Sequence, residues 1–340
     1  MLSIALAWLP MLALGPCVVA AQSMSPRLPL EGRNEVFPAR IIRMVVPFPP
    51  GAGTDTVARI VAEPIEARLG TRVTSENRAG AAGNIAADMV LRSAPDGHTW
   101  LVGTPGLMTI NALLYPTMKF DPALAFAPVT QLAQVPFVLV INPYLPPRSV
   151  TSFIEFASRR PWILNFGSAG SGSTLHLAAE LFKSVTRTRI VHIAYRGGAP
   201  AITELVGGHI QMMFGSVPLV VPYVDAGRLR ALGVTGAARS LHLPAVPTLE
   251  ESGVPQFDFT GWFGLFVPTQ TPRRIVAWLN EEIVAALSTR ETRARLFSIG
   301  AEPATSTATQ LHELIRRDAE RWERVVRSNN VKPDWEDFPQ

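Results

Sequence analysis

The sequence predicts an α/β fold in two lobes, each a doubly wound sheet with flanking helices. Three observations predict it. The chain has 340 residues, more than one ordinary hydrophobic core holds and about right for two. Short apolar runs of strand length alternate with stretches of helical period, the pattern of parallel strands joined by crossover helices. Glycine-rich turns follow directly after those runs, where open α/β sheets gather ligands at the carboxyl ends of strands.

In chain order, residues 41–48 read as a buried strand running into Pro49-Pro50-Gly51. A helix opens near Thr54-Asp55, with Val57, Ile60, Val61 and Ile65 as its apolar stripe and Pro64 expected to kink it or to lie near its end. Further strands are expected at 99–103, 137–142, 163–167, 190–195, 210–214 and 229–234. The last third is helical. Thr271-Pro272 reads as an N-cap followed by proline at the first helical position. Ile275, Leu279, Ile283 and Leu287 follow at four-residue spacing, and Thr307 to Gln310 fits a capping box.

Composition narrows the function. Hydrophobic residues make up 47% and charged residues 17%, which excludes a disordered chain. The formal net charge of +4 is interleaved with acids, as in Arg316-Arg317-Asp318, so no nucleic-acid partner is expected. Cys17 is the single cysteine. It lies in an apolar stretch that ends at Ala20-Ala21, so residues 1–21 read as a secretory signal peptide. A lipid anchor on Cys17 is disfavoured by Pro16 directly before it. The mature chain would then carry no thiol for disulfides, metals or catalysis. Residues 22–40 read as a flexible leader.

Four turns carry candidate chemistry. The first is Pro50, Gly51, Ala52, Gly53, Thr54 and Asp55. Its glycines admit close backbone approach, and the helix start behind it offers unpaired N–H groups to an anion. Thr56 replaces the third glycine of a dinucleotide fingerprint. The second turn holds Thr104 and Gly106, as a plain turn or as a ligand contact. The third holds Ser168, Ala169, Gly170, Ser171, Gly172 and Ser173. It is close to a phosphate loop, but Ser173 stands in the lysine position, which leaves a donor loop suited to a small anion. The fourth holds Arg196 and Gly197; Arg196 serves either a ligand carboxylate or a salt bridge. His176 reads as a support for the third loop or as a ligand contact. The histidines have no metal spacing, and no nucleophile, base and orienter fall together, so neither a metal, a cofactor nor an enzyme is expected.

At these turns the chain resembles the tripartite tricarboxylate transporter receptor family, the Bug proteins. The resemblance runs from about 41 to 333. It rests on Val46-Pro47-Phe48-Pro49-Pro50-Gly51 with Thr54-Asp55, on Glu76-Asn77-Arg78-Ala79-Gly80 through Ile85, and on Pro95-Asp96-Gly97-His98-Thr99. Asn165-Phe166-Gly167-Ser168 with His176-Leu177-Ala178, Tyr195-Arg196-Gly197-Gly198-Ala199-Pro200 and Trp262-Phe263-Gly264-Leu265-Phe266 complete it.

The resemblance implies a two-lobe periplasmic binding protein fold, type II-like, that closes on a ligand carboxylate between the first and third turns. It implies a periplasmic, monomeric receptor delivering a small carboxylate to a membrane transporter complex. Residues 41–138 and 267–340 would form lobe 1, and residues 139–266 lobe 2. Two positions depart from the family pattern. Ala52 stands where a second glycine is common. Gly215, followed by Ser216, stands where many members carry aspartate. That aspartate can face a ligand ammonium, so its absence points to a ligand without an amine, or to a larger one using the vacated space. An α/β enzyme acting on an anion and a ligand sensor for a membrane signalling partner are the alternatives.

Overall fold

The computed structural model describes residues 26–30, 36–115, 118, 120–255, 257 and 259–328. The expected signal peptide lies outside them. Nine principal strands are β1 (Ile42–Val46), β2 (Val73–Asn77), β3 (Thr99–Gly103), β4 (Phe126–Ile141), β5 (Asn165–Ser168), β6 (Val191–Ala194), β7 (Met212–Ser216), β8 (Arg230–Val234) and β9 (Thr260–Pro268). Nine principal helices are α1 (Gly53–Leu69), α2 (Asn84–Leu91), α3 (Val150–Ser158), α4 (Thr174–Thr186), α5 (Gly198–Gly207), α6 (Val217–Asp225), α7 (Arg273–Leu287), α8 (Arg290–Ser298) and α9 (Ala308–Ser328).

The strands hydrogen-bond in the order β2-β1-β3-β9-β4-β7-β5-β6, with β8 also on β4. The outer strands of each half are parallel, as crossover helices require: β1 with β2 and β3, and β5 with β6 and β7. The two central strands are not parallel to their neighbours, so each sheet is mixed rather than all parallel. β9 runs antiparallel to β3 and β4, and β4 runs antiparallel to β7 and β8.

The strand expected at 137–142 is the tail of a sixteen-residue strand. Pro128 and Pro136 within that run argue against a central strand. The fold accommodates Pro128 beside a register shift opposite Leu265 and Phe266, and Pro136 at the end of the pairing, opposite Thr260. The first part of β4 pairs with β9, and Phe137–Ile141 pairs with β7. One strand therefore threads both halves.

Side chains alternate across β1 with the period of two that a strand imposes. Ile42, Met44 and Val46 pack with Val61, Leu279 and Ile283 of α1 and α7. Val45 faces the other way, toward Leu101, Phe266, Leu311 and Ile315. The second half has one core, rich in Phe166, Phe182, Phe214 and Phe257. Helix α9 joins the two: Leu311 and Ile315 belong to the first half, and Trp322, Val325 and Val326 to the second. Eleven residues of helix separate Leu311 from Trp322, a span of ~16 Å.

Two local expectations change. The stretch expected as a flexible leader contributes Phe37, fully buried edge-on to His98 and Trp278. Thr271 does not cap α7; Pro272 occupies the N-cap position, and the buried Thr271 hydroxyl has no hydrogen-bond partner among the described residues. Helix α1 continues past Pro64 to a left-handed Gly70. At α9, the Gln310 N–H donates to Thr307 Oγ1 at 3.1 Å and the Thr307 N–H to Gln310 Oε1 at 2.9 Å, a complete capping box.

Candidate functional site

The turns after β1, β3, β5, β6 and β7 converge on one cleft between the halves. Its inner part is a cavity of about 50 Å³. Its lining includes the hydroxyl-bearing Thr54, Thr104, Ser173, Thr174 and Ser216, and Phe48, Phe137, Leu219, Trp262 and Phe263 make up its apolar wall. Phe48 and Ala169 are shared with an outer cavity of about 310 Å³, reached past Gly80, Tyr115, Ser171, Tyr195 and Arg196.

Four helices begin at the inner cavity: α1 at Gly53, α4 at Thr174, α5 at Gly198 and α6 behind Ser216. Each helix start carries unpaired N–H groups and the positive end of the helix dipole. In α1 the first intrahelical bond runs from the Thr56 N–H to Ala52 O at 3.0 Å. The N–H groups of Gly53, Thr54 and Asp55 thus precede the helical ladder. Among the described residues no aspartate or glutamate lines either cavity, and Arg196 is the single charged side chain there. Arg196 is exposed and makes no ion pair among the described residues. The arrangement suits an anion with an apolar body.

The first turn owes its shape to Asp55. Its carboxylate accepts from the Gly51 N–H at 3.0 Å, Arg59 Nε at 3.0 Å and Asn77 Nδ2 at 2.8 Å. Burial alone pushes that carboxyl up, but Arg59, the Gly51 N–H and Asn77 together hold it below the usual carboxylate range. Asp55 is thus buried and fully engaged, and it shapes the loop without lining the cleft.

The third turn has its own support. His176 Nδ1 accepts from the Gly172 N–H at 3.0 Å, so the ring is read with its Nδ1 unprotonated. Its Nε2 lies 3.6 Å from Glu180 Oε1, and its ring stacks on His192 at 3.9 Å. His192 Nε2 is 2.6 Å from Ser168 Oγ, and the Gly170 N–H donates to the same hydroxyl at 3.1 Å. Burial pushes the Glu180 carboxyl up, but His176 and Lys183 outweigh it and hold it below the usual range. Ser168 and His176 therefore brace the turn, and neither lines a cavity.

Several singled-out glycines lie where the halves touch. The Gly106 N–H donates to Thr174 Oγ1 at 3.2 Å, and a Cβ on Gly106 would fall 2.7 Å from Gly172 O. A Cβ on Gly53 would fall 2.4 Å from Ser216 Oγ, and one on Gly197 would fall 2.5 Å from Pro49 Cδ. Tyr115 Oη donates to Ser171 O at 2.6 Å across the same junction. The halves are closed on each other, and the missing side chains permit that approach. Pro50 and Gly51 lie on the rim, outside both linings.

Gly215 is a different case. A Cβ there would fall 2.2 Å from Val220 Cγ1. Val220 is fully buried, so the space beside Gly215 is filled by the protein and is not open to a larger ligand. Sequence reasoning also passed over Leu219 and Phe137, apolar wall residues that carry no motif signal. Phe48, Trp262 and Phe263 stood inside motifs without an assigned role. Trp262 is held by α9: its Nε1–H donates to Asp318 Oδ2 at 2.7 Å.

Comparison with known proteins places this geometry. Residues 57–331 match the model of the tripartite tricarboxylate transporter family receptor. The chain is 36% identical to protein BugT of Bordetella pertussis over 299 residues, 88% of this chain and 92% of that one. Among solved structures it is similar to Rpa4515 of R. palustris with adipate, at a TM-score of 0.84 and 37% identity, covering 87% of this chain and 99% of that one. It is also similar to MatC of Rhodopseudomonas palustris with bound malate, at 0.80 and 33%, covering 85% and 100%. The chain belongs to the tripartite tricarboxylate transporter receptor family, whose members are periplasmic binding proteins of this two-lobe fold.

Proposed function

We propose that the protein is a periplasmic receptor that closes two lobes around a small organic acid lacking an amine, for delivery to a tripartite membrane transporter. One observation carries the reading: four helix N-termini and five hydroxyl-bearing residues line an inner cavity that no carboxylate lines among the described residues. Such a ring favours a carboxylate and gives an ammonium no counter-charge. The two relatives solved with adipate and with malate support the ligand class. The ligand's first carboxylate meets the helix ends, its carbon chain lies along Phe48 and Trp262, and a second anionic group reaches toward Arg196.

The lobes divide at the long strand. The pairing of β9 with the first part of β4, and of its centre with β3, supports putting residues 41–136 and 260–328 in the first lobe, in place of the crossings expected near 138 and 267. Residues 137–259 form the second. The receptor is exported on residues 1–21, works as a monomer without cofactor or nucleic acid, and turns nothing over. The Ser168–His192 pair supports the last point, since the buried Ser168 hydroxyl lies off the cavity.

The test is a thermal-shift screen of the chain from Gln22 onward, followed by calorimetry. Adipate, malate or a related acid raises the melting temperature by mass action, and aspartate and glutamate do not. Tight aspartate binding, or no response to any carboxylate, refutes the reading.

A further inference from the structure

We propose that the far pole of the second lobe, opposite the cleft, is a docking surface for an anionic phospholipid bilayer. The parallel strands β5, β6 and β7 send their carboxyl ends to the cleft. Their amino ends, with the end of antiparallel β4, therefore form the opposite pole. The turn entering β5 is Arg159-Arg160-Pro161-Trp162-Ile163. Beside it lies the turn entering β6, with Arg187 and Arg189; the Trp162 N–H donates to Arg189 O at 2.9 Å.

The surface has the composition of a membrane-contact tip. Trp162 is 60% exposed and Ile163 67%. Trp162 is held at φ +66°, a left-handed conformation that a bulky residue rarely adopts. Its ring therefore projects on a fixed turn. The Arg189 guanidinium lies 5.5 Å from that ring and the Arg160 guanidinium 4.0 Å from the Phe156 ring. Tyr144, 93% exposed, follows the end of β4 at the same pole. It stands two strands from β5, ~10 Å by strand spacing.

The charge at this pole is unbalanced. Arg159, Arg160, Arg187 and Arg189 are all exposed, and none has a carboxylate partner among the described residues. Of the acids nearby, Glu204 is engaged by His209 at 2.8 Å. Glu155 shares a shallow groove with Arg148, Arg159 and Arg160, one carboxylate against three guanidinium groups. A Trp–Ile tip ringed by free arginines complements a negatively charged interface with an apolar layer beneath it. A turn that projects its apolar residues needs no matching pocket, which favours a bilayer over a folded partner. The pole's distance from the cleft also separates it from the surfaces through which a ligand would leave.

The experiment is co-sedimentation of the chain from Gln22 onward, which keeps every described residue, with phosphatidylcholine vesicles with and without phosphatidylglycerol. Binding should require the anionic lipid and weaken with salt. Arg159→Gln with Arg160→Gln should weaken it roughly 30-fold, and Trp162→Ser with Ile163→Ser about tenfold. Leu241→Ser, exposed elsewhere at 73%, should bind like the parent. All positions face solvent, and an unchanged melting temperature verifies each variant; the arginine pair serves if the Trp–Ile pair misfolds. No anion-dependent binding, equal binding to neutral vesicles, or parental binding by both double variants overturns the proposal. None of these outcomes depends on the small ligand, so the receptor reading stands or falls separately.

Discussion

Replacing Gly106 by alanine should damage closure while sparing the open protein. The added Cβ would lie 2.7 Å from Gly172 O and 3.0 Å from Thr174 N, both backbone atoms of the opposite lobe. Neither can rotate away as a side-chain tip could. Overpacking of this kind costs roughly 1–3 kcal/mol. The cost falls on the closed state, because the three atoms nearest that Cβ, in Gly172, Ser173 and Thr174, all belong to the second lobe. Alanine also favours helical backbone over glycine by about 1 kcal/mol, and residue 106 opens a helical turn. The ligand-free melting temperature should therefore hold or rise. Apparent affinity scales with the fraction able to close, so binding of the acid giving the largest thermal shift should weaken roughly 5- to 150-fold. Calorimetry measures the affinity, and small-angle scattering with saturating acid follows closure. Affinity within about twofold of the parent, or a lower ligand-free melting temperature, would refute the reasoning.

Thr54→Val keeps the shape of the first turn and removes one cavity hydroxyl, so calorimetry should record about fivefold weaker binding with an unchanged melting temperature. Phe37→Ala should lower unfolding free energy by about 3–5 kcal/mol in urea titrations, whereas a loose leader would give a change near zero. Gly215→Ala should destabilise by roughly 1–3 kcal/mol through its clash with Val220, and adding Val220→Ala should recover part of that loss. Two acids, the half-buried Asp318 and the buried Asp55, should give opposite pH signatures in melting curves. Burial raises Asp318 above the ordinary aspartate value of 3.8, so the folded state binds its proton more tightly and stability from this group falls as pH rises through that window. Asp318→Asn should remove that fall. Asp55 is lowered, so its contribution is present above 3.8 and lost as pH falls below it; Asp55→Asn should flatten the acid side.

Much of the fold was legible because strands buried on both faces write themselves as unbroken apolar runs. Residues 99–103 are such a run, and β3 occupies those positions. Strand β2 was missed because Val73 is its one buried residue and Arg43–Glu76 pairing occupies its polar face. The first part of β4 was missed because Pro128 and Pro136 interrupt its pattern, and the register shift that accommodates Pro128 lies in pairing with β9, which no local window contains. In the cleft, sequence located the turns and their donor chemistry. It could not separate groups that face the cavity from groups that hold a loop. Asp55 and Ser168 read as ligand contacts because they sit in the motifs, and His176 as a loop support or a ligand contact; each is engaged by groups in and around its turn. The apolar wall was illegible for the opposite reason: Leu219 looks like any buried helix residue until β7 places its helix start at the cleft.

That division separates affinity from selectivity. Backbone N–H groups at four helix starts recognise any carboxylate, and they are fixed by the fold. Substitution of side chains scarcely changes them. Discrimination must therefore reside in the wall and in what is absent from it. Trp262 is the wall residue best placed to report closure, because its ring faces the cavity while its N–H is held by α9, the helix whose buried residues belong to both lobes. A ligand that presses on this indole acts on the element that spans the hinge. A shorter acid that satisfies the helix ends without reaching Trp262 would bind through the same donors and leave that element unengaged. Two acids of similar affinity should then differ in how far they close the protein, and chain length, more than charge, would decide between them.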